Sequence, residues 1–145
     1  MAEITTFPMP FSQAENYLSQ LISQSGAFYN GSKPVIGRLK RSYGCGKVIG
    51  VQSLDNQVVT RIDYDPEKGY HFNFVDYRYN KKICILISDM TEDMYRNYVD
   101  RLTFGRHYSI KNIMFNSEFI EELFDDTEFE MYPFEVEEKG KSKSA

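Results

Sequence analysis

The stretch DYDPEKGYHFNF, residues 63–74, decides the fold, because it places a turn signal between two runs of alternating polar and apolar residues. The central letters D-P-E-K-G are typical of a tight turn. The alternation on either side is typical of strands that bury one face only. Strands joined by so short a connection must be antiparallel, since a parallel neighbour needs a crossover of a dozen residues or more. The segment therefore predicts a β-hairpin.

Closing the hairpin on Tyr64 and Tyr70 fixes which side chains share a face. Apolar side chains then form a predicted core face: Val58, Thr60, Ile62, Tyr64, Tyr70, Phe72 and Phe74. The other face carries four polar residues, which we call the polar cluster: Arg61, Asp63, His71 and Asn73. The pairing sets Asp63 opposite His71 and Arg61 opposite Asn73, about 5 Å apart at their Cβ atoms. We expect this cluster to be exposed.

Alternation continues on both sides of the hairpin. It predicts a sheet of four or five strands, at residues 35–42, 46–53, 57–64, 70–77 and 81–87. Before the sheet, an S-x-x-E capping box at Ser12 and Glu15 predicts a helix over 12–25. After it, apolar residues at helical spacing predict helices near 91–104 and 117–124. The order predicts an α+β domain: an antiparallel meander sheet flanked by an N-terminal helix and two C-terminal helices.

Length and composition favour one folded domain. The chain has 145 residues with 41% apolar residues, and Phe and Tyr number 11 each. We expect a single α+β domain over residues 1–138 and a disordered basic tail over 139–145, where three lysines lie among Ser and Gly. No stretch approaches the roughly 18 apolar residues that a membrane span needs, so no membrane partner is predicted.

The targeting signals and cysteines favour the cytoplasm. The opening letters MAEITTFPMPF lack the basic and apolar regions of a secretory signal. Cys45 and Cys84 form no C-x-x-C pair and are too few for a tetrahedral metal site, so no metal and no cofactor are predicted. Reduced thiols in a cytoplasmic protein are the simplest interpretation.

The charge is unevenly distributed along the chain. Residues 33–47 carry five positive charges and no acid, and Arg38, Lys40, Arg41 and Lys47 are candidate contacts to a phosphate backbone. The alternative is a strand edge kept soluble by its charges. Residues 118–138 carry ten acids and no Lys or Arg. Here Glu121, Glu122, Asp125 and Asp126 are candidates for binding a basic partner, unless they form an ordinary solvated helix face.

The polar cluster has the residue types that phosphodiester chemistry uses. A histidine oriented by Asp63 can move a proton to or from a ribose hydroxyl or a leaving oxygen. Arg61 can bind phosphate through its two-pronged donor set, and Asn73 can stabilise developing charge. The alternative is that the four residues only stabilise the hairpin, by a few tenths of a kcal/mol per pair.

The same segment resembles a known family. TRIDYDPEKGYHFNF, residues 60–74, is similar to a segment of the form R-x-D-x-D-P-x-K-G-x-H-x-N in the C-terminal toxin domains of bacterial polymorphic toxin systems. The matching residues are Arg61, Asp63, Asp65, Pro66, Lys68, Gly69, His71 and Asn73. Many such toxin domains are nucleases, so the resemblance implies an RNA substrate and a cognate immunity or target protein. It also implies that Lys68 contacts the substrate.

Other residues are weaker candidates. Arg106 and His107 could form a second phosphate-binding and acid/base pair if the fold brings them to the hairpin. Three glycines at 44, 46 and 50 resemble a dinucleotide fingerprint, but the spacing is one residue too long and no helix follows, which indicates a bulged turn. Cys45 has no neighbouring histidine in the sequence and can act as a nucleophile only through the fold.

Two function classes remain open. The first is a nuclease-type toxin domain that cleaves RNA without a metal, with DNA as the less favoured alternative substrate. The second is a non-enzymatic binding protein, such as an immunity-like protein or a phage-encoded inhibitor, acting through its acidic aromatic C-terminal surface. A small-nucleotide binder that uses Arg and Tyr is a third alternative.

Overall fold

A computed structural model describes residues 2–105, which form six strands and two helices. The strands are β1 (Ala2–Thr5), β2 (Ser32–Ile36), β3 (Val48–Ser53), β4 (Val58–Asp65), β5 (Gly69–Asp76) and β6 (Lys81–Leu86). The helices are α1 (Phe11–Ser25) and α2 (Glu92–Gly105). The α+β class predicted from the sequence is confirmed for this part of the chain. The predicted helix at 117–124, the tail at 139–145 and the domain end at 138 lie outside the described residues.

The strands form one sheet in the order β1-β6-β5-β4-β3-β2. From β2 to β6 each strand pairs antiparallel with the next, which confirms the predicted meander. The prediction of a purely antiparallel sheet of four or five strands was wrong in detail, because β1 adds a sixth strand parallel to β6. This strand has four residues, all exposed, and pairs with a segment far along the sequence. Local alternation carries no signal for such a pairing.

The first predicted strand, 35–42, was placed too late. In the structure β2 ends at Ile36, where the pairing with β3 shifts by a β-bulge. The chain then leaves the sheet as a loop over residues 37–47, which we call the basic loop. Its base is closed by hydrogen bonds from the Gly37 N–H to the Lys47 carbonyl and from the Gly46 N–H to the Gly37 carbonyl, both 2.9 Å. The positive charges at 38–47 therefore lie on a folded loop, not along a strand edge.

The start of α1 differs from the predicted capping box. Pro10 is the N-cap residue and makes no side-chain cap bond, and Ser12 is already inside the helix. The first helical N–H, that of Phe11, donates instead to Oδ1 of Asp89 at 2.8 Å. A carboxylate from beyond β6 thus caps the start of the helix, one residue before the predicted Ser12 cap. The predicted end is confirmed, since Gly26 has a left-handed φ of 68°.

Both helices pack on the apolar face of the sheet and share one core with it. The core includes Ala14, Leu18, Leu21, Ile62, Phe72, Phe74, Ile83, Ile85, Tyr95, Tyr98 and Val99. Phe11 joins the layers, with ring centroids 6.0 Å from Phe72 and 5.4 Å from Tyr98. Neither α1 nor α2 is long and apolar enough to cross a membrane.

Candidate functional site

The β4–β5 hairpin has the register that its turn predicts. Asp63 lies opposite His71, and Arg61 opposite Asn73. The turn is held by Oδ1 of Asp65, which accepts the backbone N–H groups of residues 67 and 68 at 2.9 and 2.7 Å. This local bonding fixes the strand pairing, so the four residues of the polar cluster share one face.

Asp63 connects three members of the cluster. Its Oδ2 accepts a hydrogen bond from Nε of Arg61 and another from Nδ2 of Asn73, each 2.8 Å long. The bond from Arg61 is also an ion pair. Such charge-assisted bonds are about twice as strong as neutral ones, so they hold the guanidinium and the amide in fixed positions.

His71 is oriented by the backbone and not by Asp63, so the prediction that Asp63 orients the imidazole was wrong, although the two residues do lie opposite each other. Its Nδ1 lies 2.9 Å from the carbonyl oxygen of Gly69. A carbonyl can only accept, so Nδ1 carries the proton, and in the neutral ring Nε2 carries the lone pair. Gly69 makes this contact from a left-handed conformation with φ 72°. The turn therefore sets the tautomer of the histidine.

The cluster is closed to solvent, which contradicts the predicted exposure. Arg61 is 1% exposed and His71 and Asn73 are 0% exposed, whereas Tyr64 on the predicted core face is 56% exposed. Residues 73–76 of β5 are all buried, so this strand is covered on both faces. Polar residues mark a solvent face only when their hydrogen bonds go to water. Here the Arg61–Asp63 ion pair and the hydrogen bond from the Asn73 side-chain amide to Asp63 satisfy polar groups within the cluster.

Nε2 of His71 and Oδ1 of Asn73 are buried and have no hydrogen-bond partner among residues 2–105. A buried polar atom left in this state costs about 1–3 kcal/mol, and such atoms are often found at functional sites. The free atom of Asn73 is an acceptor, so it suits a substrate donor. The Nδ2 of Asn73 has two N–H groups, of which one donates to Asp63, so the predicted use of Asn73 to stabilise negative charge would fall to the other and stays a prediction.

The other predicted substrate contacts are spread over the hairpin turn and the basic loop. Arg38 is buried at 6% exposure, whereas Lys40 and Arg41 are exposed. Lys47 places its Nζ 3.8 Å from the centroid of the Tyr43 ring. Lys68 lies 3.6 Å from Oε2 of Glu3 and remains partly exposed.

Both cysteines are free thiols. Burial raises the pKa of Cys45, and the opposing charges of Lys40 and Lys47 do not reverse this. A raised pKa favours the less nucleophilic thiol, so the structure offers no support for Cys45 as a nucleophile. Among residues 2–105 no three His, Cys, Asp or Glu side chains group in a way that could hold a metal ion.

Six further candidates lie outside the described residues. They are Arg106, His107, Glu121, Glu122, Asp125 and Asp126. Their roles as a second acid/base pair and as a partner-binding surface therefore stay predictions.

Comparison with known proteins adds no family. No protein-family model matches the sequence, and no curated protein matches it either. The geometry of the hairpin and the resemblance of its segment are therefore the grounds for a function.

Proposed function

We propose that this chain is a nuclease-type toxin domain that cleaves RNA by metal-independent acid/base chemistry with His71 as the general base. The observation that best supports this is the state of the Nε2 atom. It has no partner among residues 2–105, while Nδ1 is fixed by the carbonyl of Gly69. A histidine held in one tautomer on a rigid strand is suited to taking a proton from a hydroxyl.

RNA supplies the nucleophile for such a base. Nε2 of His71 accepts the proton of a ribose 2′-hydroxyl, and the 2′-oxygen forms a bond to the adjacent phosphorus. The bond from phosphorus to the 5′-oxygen breaks, and that oxygen takes a proton from water or from a second acid. The products are a 2′,3′-cyclic phosphate and a free 5′-hydroxyl. Because the nucleophile belongs to the substrate, this route does not depend on a metal-activated water, and DNA lacks the group.

Other cluster members would assist this chemistry. Arg61 contributes a positive charge whose position is set by Asp63, and such a charge stabilises a phosphate in the transition state. Oδ1 of Asn73 would accept a donor from a base or ribose. His107 remains the sequence candidate for the second acid.

The burial of His71 adds a condition. At 0% exposure the imidazole cannot reach a polynucleotide directly. The proposal therefore includes an opening of this sheet face before catalysis, of the kind that gates many enzymes.

The same burial favours a second candidate, a non-enzymatic binding protein. In that case the polar cluster is part of the core and only stabilises the hairpin. Binding to a basic partner would then fall to Glu121, Glu122, Asp125 and Asp126.

Induced expression in bacteria tests the first proposal. Wild type should stop growth and degrade cellular RNA, and His71→Gln should do neither, because glutamine keeps much of the volume but cannot take up the proton. Ile85→Val is a matched control, since it removes one buried methylene for about 1 kcal/mol and leaves the cluster intact. Harmless wild type with whole RNA would overturn the nuclease proposal. If charge reversal at Glu121 and Glu122 then abolishes capture of a basic partner while His71→Gln has no effect, the binding function is supported.

A further inference from the structure

Four tyrosines from three separate parts of the chain form a continuous row of rings. Centroids lie 4.7 Å apart between Tyr64 and Tyr70, 4.9 Å between Tyr70 and Tyr95, and 6.3 Å between Tyr95 and Tyr43. The row starts on the hairpin, passes α2 and ends in the basic loop. Tyr64 is 56% exposed and Tyr95 is buried at 7%. The Tyr64 ring at one end of the row is thus exposed to solvent, and the row behind it is anchored in the core at Tyr95.

The other end of the row carries positive charge. Nζ of Lys47 lies 3.8 Å from the centroid of the Tyr43 ring, and Cζ of Arg96 lies 4.7 Å from it. The Tyr43 hydroxyl donates to Oδ1 of Asp100 at 2.7 Å, which fixes the ring. Two cationic groups are thus held against one ring, whose π-system attracts them, and each can also contact a phosphate. Arg96 is itself exposed and forms an ion pair with Glu92, with Nη2 2.6 Å from Oε2.

Further cations extend this end. Lys40 and Arg41 are exposed in the same loop and lie in a stretch without acids. Exposed aromatic rings beside a track of Lys and Arg are the two components that single-stranded nucleic acids need: rings stack on bases, and cations contact phosphates.

We propose that the surface of Tyr64, Tyr43, Lys47 and Arg96 binds single-stranded RNA, with a base stacked on Tyr64 and phosphates at Lys47 and Arg96. The choice of RNA rests on the proposed function. Tyr64 and Tyr70 adjoin Asp63 and His71 along their strands, but their side chains lie on the opposite face of the sheet, so RNA bound here would reach the polar cluster by passing around the end of the hairpin. This surface would hold the substrate outside the cleavage site, and it uses none of the four cluster residues.

Binding of a short RNA to the intact protein tests this inference. The probe is a fluorescent 2′-O-methyl oligonucleotide of about 12 nucleotides, which lacks the free hydroxyl that the proposed cleavage uses. Tyr64→Ala should weaken binding about tenfold, as expected for one stacked base, while Tyr64→Phe should bind like wild type. The double variant Lys47→Ala with Arg96→Ala should also weaken binding. It should reduce the slope of log K against log salt by about 1.4, because two phosphate contacts are lost.

Tyr79 offers a matched control. It is 72% exposed and has an arginine, Arg78, 5.2 Å from its ring, but it lies in the turn between β5 and β6. Tyr79→Ala should leave the affinity unchanged. The inference is overturned if wild type does not bind the probe, or if Tyr79→Ala weakens binding as much as Tyr64→Ala. It is also overturned if Tyr64→Phe binds as weakly as Tyr64→Ala. Since the probe cannot be cleaved by this route, binding without any RNA degradation in cells would refute the nuclease proposal and leave this inference standing.

Discussion

Arg61 donates from Nε to Oδ2 of Asp63 over 2.8 Å, two positions along one strand, with the arginine side chain 1% and the aspartate side chain 13% exposed. An ion pair so far removed from water gains strength from the low local dielectric and has a high desolvation cost. Loss of one partner is therefore more damaging than loss of both.

Asp63→Asn should lower the free energy of unfolding by about 3 kcal/mol, because it removes a negative charge that is ion-paired with a buried guanidinium. Chemical denaturation measures this directly. Glu67→Gln, an exposed change in the adjacent turn, is the control and should stay within 0.5 kcal/mol of wild type. An equal effect of the two substitutions would show that the ion pair is not buried in solution.

His71→Ala should lower the free energy of unfolding by about 1–3 kcal/mol, since it removes a fully buried ring and the partner of the Gly69 carbonyl. An exposed histidine, as the sequence alone predicts, would contribute about 0.5 kcal/mol or less. Tyr79→Ala is the exposed comparison. A loss for His71→Ala no larger than that of Tyr79→Ala would contradict the burial. If the chain is the proposed nuclease, the same substitution slows cleavage by about 10²–10⁴.

Gly69→Ala should lower the melting temperature by several degrees. The glycine has φ 72°, and an added Cβ would meet nothing within 4 Å, so the cost is the backbone strain alone, about 1 kcal/mol. Gly105→Ala is a clean control, because it also has open space but no left-handed φ. Thermal unfolding followed by circular dichroism separates the two. Equal melting temperatures would argue against the turn that positions His71.

Asp76 should make stability depend on pH in the acid range. Two hydrogen bonds from Arg78, 2.9 and 2.8 Å long, hold the pKa of its carboxyl below the usual value. A carboxyl with a lowered folded-state pKa stabilises the fold above its unfolded pKa of about 3.9, and that contribution is lost as the pH falls through the folded value. Asp76→Asn should thus cost about 1–2 kcal/mol at pH 7 and progressively less below pH 4. Denaturant titrations across this range measure the difference, and a gap that stays constant with pH would refute the linkage.

The sequence predicted the features that depend on neighbouring residues, such as the hairpin register. It did not predict the features that depend on contacts between residues distant in sequence. The D-P-E-K-G turn fixed the pairing of Asp63 with His71, since hairpin register follows from the turn. The burial of that face was not predictable, because polar residues on a strand normally indicate a solvent-exposed face. A strand that is covered on both sides can keep polar residues only if they hydrogen-bond to other groups of the protein, and the sequence does not show those bonds. The cap of α1 likewise came from Asp89, 78 positions along the chain from Phe11. Pattern rules see neighbours in sequence, and these contacts join residues that are neighbours only in space.

The tyrosine row was missed for the same reason. Tyr43, Tyr70 and Tyr95 lie in a loop, a strand and a helix, and no spacing links them. The sequence did contain one indication of such a surface. Tyrosine is frequent, with 11 of 145 residues, and the chain also has a stretch rich in Lys and Arg.

The parallel strand β1 has a consequence for self-association. Ala2 pairs with Lys81, 79 positions later, and all four residues of β1 are exposed. Such a strand closes a long loop and buries little, so it is the element of the sheet that detaches most readily. Once it lifts away, β6 presents an unpaired edge of N–H and C=O groups that accepts the matching strand of a second molecule. At high protein concentration, exchange of this segment would link two copies into a domain-swapped dimer without altering the rest of the fold.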